Sequence, residues 1–157
     1  MTQTKVIGES VKQTNRTFVK SYVEDYAKAI TENYRRYHIN TLNGNLHGNY
    51  PEYAKQQLAE IENGTANLMK FKVYTGKRYY KIVQQDFETW EGSRNYGKYA
   101  DGSVHCFVDK ETGDVYKPAS WSAPAKHIRF TFQNVDHLKF LLNPDNVGWA
   151  GGYLYIR

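Results

Sequence analysis

Between about Thr14 and His38 the residues Val19, Val23, Tyr26, Ala27, Ile30, Tyr34 and Tyr37 recur at three- and four-residue steps, which sets them on one face of a helix. The opposite row, Arg16, Lys20, Glu24, Lys28, Glu32 and Arg36, alternates in sign. Its Glu24/Lys28 and Glu32/Arg36 pairs have the favourable acid-first order, each adding about 0.2–0.5 kcal/mol. A helix that reads nucleic acid carries one sign along such a row, so this one is expected to be an ordinary solvated face. Ahead of it, residues 1–12 lack clear periodicity and are expected to form a flexible arm or a frayed edge strand.

Asn40 to Tyr50 is rich in Asn and Gly, residues that close turns readily, and is expected to be a loop, with a mobile lid as an alternative use. Pro51 suits the first turn of a second helix, marked by Tyr53, Ala54, Gln57, Leu58 and Ile61 and stopped by Asn63-Gly64. After Gly64 the period changes. Met69–Tyr74 and Tyr79–Val83 alternate as strands around a turn at Thr75–Arg78, with Phe71 and Val73 on a packed face and Lys70, Lys72 and Tyr74 on a wet, basic one. Gln84–Ala100 is polar and reads as a long connection. Val104–Val108 and Val115–Lys117 read as a hairpin about a turn with Gly113 at positive φ. Pro118 and Pro124 keep the exit out of a central strand. Ile128–Phe132 is a further strand, Val135–Leu142 a short helix, and Gly151–Arg157 a last strand.

The expected architecture is therefore a single α+β domain over 13–157, with two N-terminal helices packed on a mostly antiparallel sheet of four to six strands. No apolar run approaches the roughly 20 residues of a membrane helix, so no membrane partner is expected. The N-terminal segment has no secretory apolar core, and the single cysteine, Cys106, leaves no intramolecular disulfide and suits a reducing interior.

A net charge of +5 makes the surface attractive to anions, and fourteen tyrosines favour binding surfaces or self-association, although Tyr also lines half-wet cores. Three basic-aromatic clusters stand out: Lys77, Arg78, Tyr79, Tyr80 and Lys81; Arg94, Tyr96, Lys98 and Tyr99; and Lys117, Trp121, Lys126, His127 and Arg129. Single-stranded nucleic acid is held by cations that track phosphates and by rings that stack bases, so these clusters supply both ingredients. Mixed Lys and Tyr on a wet sheet face also arises from cross-strand packing alone. Asp86, Glu88 and Glu91, with Lys81 or His105 beside them, are the candidate catalytic set for a metal-dependent nuclease. Their spacing is not diagnostic. No zinc signature is present, His105 and Cys106 are expected on opposite strand faces, and no cofactor is expected.

The segment F-V-D-K-E-T-G-D-V-Y-K-P-A-S-W-S-A-P-A-K from Phe107 to Lys126 resembles one found in small hypothetical proteins of tailed phages, including marine cyanophages. The ending from Gly148-Trp149 to Tyr153-Leu154-Tyr155 is similar to their C-termini, and together these cover roughly the last third of the chain. The resemblance implies viral origin, in the host cytoplasm or the virion, and no mechanism. The leading expectation is a non-enzymatic accessory protein that binds nucleic acid or another polyanion through a basic-aromatic sheet face. A homo-oligomeric virion or assembly component, a metal-dependent nuclease and a host-defence antagonist are the alternatives.

Overall fold

The computed structural model describes the backbone of residues 2–155 and the side chains of residues 15–155. Helix α1 (Thr2–Asn45) and helix α2 (Pro51–Asn63) precede five strands, β1 (Lys70–Thr75), β2 (Tyr79–Phe87), β3 (Tyr99–Asp109), β4 (Asp114–Pro118) and β5 (Pro124–Thr131). Helix α3 (Val135–Leu141) and a 3₁₀ turn at Gly152–Leu154 complete the chain. Every strand pairs antiparallel with its neighbour in chain order, giving a sheet β1-β2-β3-β4-β5. The α+β class and the two N-terminal helices are as the sequence predicts.

The predicted helical stripe forms the roof of the core. Val19, Val23, Tyr26, Ala27 and Ile30 are buried against Phe71, Tyr80, Ile82, Cys106, Val108 and Val115, with Phe132, Leu141, Val147 and Leu154 closing the far end. Tyr37, at the end of the stripe, is half exposed and lies against Trp149 instead. Asn33 fastens the C-terminal segment to α1, donating to the Pro144 carbonyl and accepting from Trp149 N–H. Thr31 Oγ1 accepts the Phe71 amide, which ties edge strand β1 to the helix layer.

Four expectations need correction. The backbone of 2–12 is helical rather than an irregular arm or edge strand, because nothing in T-Q-T-K-V-I-G-E-S-V-K interrupts a helix except Gly8, which costs only about 1 kcal/mol; residue 1 and the side chains of 1–12 lie outside the described residues. Helix α1 also runs through Asn40–Asn45, since Leu42 continues its buried face, so the Asn/Gly loop shrinks to 46–50. Strands β2 and β3 extend to Phe87 and Tyr99, which shortens the long connection. The predicted last strand is a left-handed Gly151 (φ 82) followed by the 3₁₀ turn; Leu154 is buried, and 156–157 lie outside the described residues.

The two turn glycines stand as their chemistry predicts. Gly64 at φ 79 stops α2, its amide bonded back to the last helical turn. Gly113 has φ 76, and Asp109 Oδ1 accepts the Glu111 and Thr112 amides to shape the β3–β4 turn. Asn134 caps α3 by accepting from the Asp136 and His137 amides.

Candidate functional site

Directly opposed residues in an antiparallel pair share a face. Lys72↔Val83, Tyr74↔Lys81, Lys81↔Phe107 and Phe107↔Tyr116 therefore lie together on the side of the sheet away from α1. Lys70↔Gln85, Gln85↔Asp101 and Phe87↔Tyr99 extend that face toward the β2–β3 loop, and Tyr79↔Asp109 extends it toward the β1–β2 turn. None of the described helices packs on this side. The loop between Pro118 and Pro124 folds over part of it, closed by Ala119 and Ser120 amides on the Ala123 carbonyl, and brings Trp121 to Lys81.

The result is a cleft of about 480 Å³ whose walls include Tyr74, Tyr79, Phe107 and Trp121 and whose cations are Lys77, Arg78 and Lys81. Cations and rings alternate in it and along the face beside it. Lys81 Nζ stands 4.2 Å from the Trp121 ring centroid, and Lys72 Nζ stands 4.8 Å from that of Tyr74. The Arg78 guanidinium lies 5.2 Å from the Tyr79 ring, and at the far end of the face Lys70 Nζ lies 4.0 Å from the Tyr99 ring. Exposed pairs of this kind contribute only about 0.5–1 kcal/mol. A phosphate can replace the ring for the cation, and a base can replace the cation for the ring, at small cost.

Asp101 is the carboxylate of this cleft. Its Oδ1 accepts from Gln85 Nε2 and from the Tyr74 hydroxyl, each at 2.8 Å, and its Oδ2 lies 3.0 Å from the same hydroxyl. The Gln85 amide, then Tyr74 and the charges of Lys72 and Lys81, hold Asp101 below the usual carboxylate range, and the same hydrogen bond raises Tyr74. The group is thus ionised at neutral pH, with its donors already oriented.

The structure sorts the sequence candidates. Lys77, Arg78, Tyr79, Lys81 and Trp121 meet in the cleft. Lys117 does not join them, since its Nζ lies 4.6 Å from the Tyr155 ring; Arg129 donates from Nε to the Leu154 carbonyl and from Nη1 to the His127 carbonyl. These two brace the C-terminal segment, so the exit cluster predicted as one surface is divided. Lys126 and His127 are exposed on edge strand β5. The carboxylates do not converge. Asp86 accepts from Gln84 Nε2 on the helix side of the sheet, opposite in strand alternation to Lys81. Glu88 Oε1 accepts the Trp90 amide and shapes the β2–β3 loop, and Glu91 is exposed in that loop. Among the described residues no three His, Cys, Asp or Glu side chains are grouped to hold a metal.

Sequence reasoning missed Asp101, because it falls between the polar connection read over Gln84–Ala100 and the hairpin read from Val104, and its face is set only when β2 and β3 pair. The available signal was alternation across the turn, Gln85 and Phe87 matching Tyr99 and Asp101. It also missed the register irregularity between Ile82↔Cys106 and Val83↔Val104, which leaves His105 as an extra residue in β3. His105 is therefore buried alongside Cys106, and its Nε2 lies 2.7 Å from the Tyr153 hydroxyl.

No curated protein and no solved structure matches the chain. Residues 5–156 match the profile described as Family of unknown function (DUF7717), and with nearly its whole length inside that match the chain belongs to this family.

Proposed function

We propose that the protein is a small phage accessory protein that binds single-stranded nucleic acid, or another polyanion, on the open face of its sheet, without catalysing a reaction. The observation that carries the reading is the alternation of cations and rings on one sheet face, with Lys81 set against Trp121 and Phe107 in the cleft and Lys72 against Tyr74 beside it. Each base stacked on such a ring contributes about 1–3 kcal/mol, more than the cation–ring contact it displaces. The net charge of +5 adds long-range attraction. Phage origin rests on the resemblance of Phe107–Lys126 and of the C-terminal residues, and the host cytoplasm is the compartment that suits it.

The test is fluorescence anisotropy of short labelled single strands at two salt concentrations. Binding should weaken steeply between about 50 and 200 mM salt, as counterion release requires, and Trp121→Ala should weaken it further at either concentration. Absent or salt-insensitive binding overturns the reading.

Homo-oligomeric assembly is the second reading, favoured by a separate observation. Tyr37, Tyr50 and Tyr53 expose 51%, 68% and 56% of their surface around the α1–α2 connection, far from the cleft. Light scattering that returns a strict monomer at all concentrations sinks it.

A further inference from the structure

The cleft contains a group that a plain phosphate track would avoid. Lys77 and Arg78 stand at the β1–β2 turn; Arg78 Nε is 3.7 Å from Asp109 Oδ2, yet its side chain is 73% exposed, which leaves the rest of the guanidinium open to a backbone phosphate. Farther along the same cleft is the Asp101 carboxylate, which repels phosphate and accepts hydrogen bonds but donates none. The carboxylate is fixed from below by Gln85 and Tyr74, and about four lone-pair positions on a carboxylate leave Oδ2 room for an incoming donor. Trp121 lies over Lys81, which is paired across the strands with Tyr74, the residue whose hydroxyl is on Asp101. A base stacked on Trp121 is therefore the one placed toward this acceptor, whereas Tyr79 is six residues along β2 from Gln85, the partner of Asp101.

From this juxtaposition we propose that Asp101 selects among bases entering the cleft, favouring those with an exocyclic amino group and disfavouring thymine and uracil. The inference rests on the open face being the nucleic-acid-binding face and adds its specificity. Cytosine N4 and adenine N6 are amino donors suited to a carboxylate, whereas thymine presents O4 as an acceptor at the equivalent position and flanks its one donor, N3–H, with the O4 and O2 acceptors, so a carboxylate approaching it meets like charge on both sides. Tyr74 spends its one donor on Asp101, and Gln85 Nε2 donates to Asp101 and to the Tyr74 hydroxyl, so neither can satisfy a thymine carbonyl without breaking one of these bonds. Lys81, with Trp121 on one side and Tyr74 paired across the strand on the other, is placed to hold the next phosphate.

The experiment compares the full chain with its Asp101→Asn variant on short labelled homopolymers of deoxycytidine, deoxyadenosine and thymidine. Wild type should bind the first two about tenfold more tightly than thymidine, the difference expected for one hydrogen bond to a charged group. In Asp101→Asn the amide keeps an acceptor for Tyr74 and Gln85 and adds a donor, so the gap should close to within about twofold with the salt dependence unchanged. The wild-type ranking is informative without any variant. Equal affinity for all three, or a thymidine preference, overturns selection by Asp101 while salt-dependent binding leaves the binding face standing. A variant that tightens binding to all three by one common factor also overturns it, since Asp101 then only repels phosphate. No binding to any strand overturns this proposal and the reading beneath it together.

Discussion

Below the sheet, Tyr26, Tyr153 and His105 form a hydrogen-bonded chain, with Tyr26 to Tyr153 at 2.6 Å and Tyr153 to His105 Nε2 at 2.7 Å. Desolvation lowers the His105 pKa to about 4, against a smaller opposing effect of the Trp149 carbonyl. The Tyr153 hydroxyl is the hydrogen-bond partner that His105 Nε2 has inside the core. Tyr153→Phe leaves Nε2 unpaired in the core and should lower stability by about 1–3 kcal/mol in urea unfolding. The ring also predicts a pH dependence. In the unfolded chain it protonates near pH 6.5, whereas in the folded chain it stays neutral to about 4. Between those values the unfolded state binds the extra proton, so stability is full above about 6.5 and falls as pH drops toward 4, by about 3 kcal/mol in all. His105→Gln should flatten that segment of the urea-midpoint profile. None of this was legible from the letters, because strand alternation sends His105 and Cys106 to opposite faces and only the irregular pairing of β2 with β3 brings both inside.

At the level of elements, the sequence was most readable where one residue type fits one backbone geometry. Gly64 and Gly113 were both named from turn chemistry, and both have φ in the left-handed region. Their surroundings differ. A Cβ at Gly64 meets open space, but a Cβ at Gly113 falls 2.7 Å from Phe132 Cβ, in a buried position. Gly64→Ala should cost about 1–2 kcal/mol from backbone strain alone. Gly113→Ala adds overpacking of about 1–3 kcal/mol, so its loss of stability in thermal unfolding should be clearly the larger. Reading failed where local propensity and tertiary burial disagree. Asn40–Asn45 has loop composition, yet Leu42 is buried and Thr41 Oγ1 bonds back to the Tyr37 carbonyl, so the helix passes through it. Gln84–Ala100 failed for the converse reason, since polar strand residues on a wet face resemble a loop until their partners are known.

On the scale of the whole molecule, the two sides of the sheet have different tasks. One side is roofed by α1 and holds the core; the other carries Lys70, Lys72 and Lys81 with their rings and is partly covered by the 119–123 loop. The sequence disclosed the wet face through the alternation of β1 and the Lys77–Lys81 run. It did not disclose which later residues reach that face, because Trp121 arrives by a hairpin loop and Lys117 and Arg129 turn to the C-terminal segment. Charge is spread over both sides, since the exposed row of α1 includes Lys20 and Lys28, so net charge alone predicts equal effects of removing any lysine. A site on the open face predicts unequal ones. Lys72→Ala and Lys81→Ala should each reduce the slope of log affinity against log salt by about 0.7 for a short single strand, the value for one lost phosphate contact. Lys28→Ala should leave the slope where it is. Measured by anisotropy titration across a salt series, equal small effects of all three substitutions would mean that the protein attracts polyanions only through its overall charge. A loss confined to Lys72 and Lys81 would fix the nucleic acid to the face opposite α1.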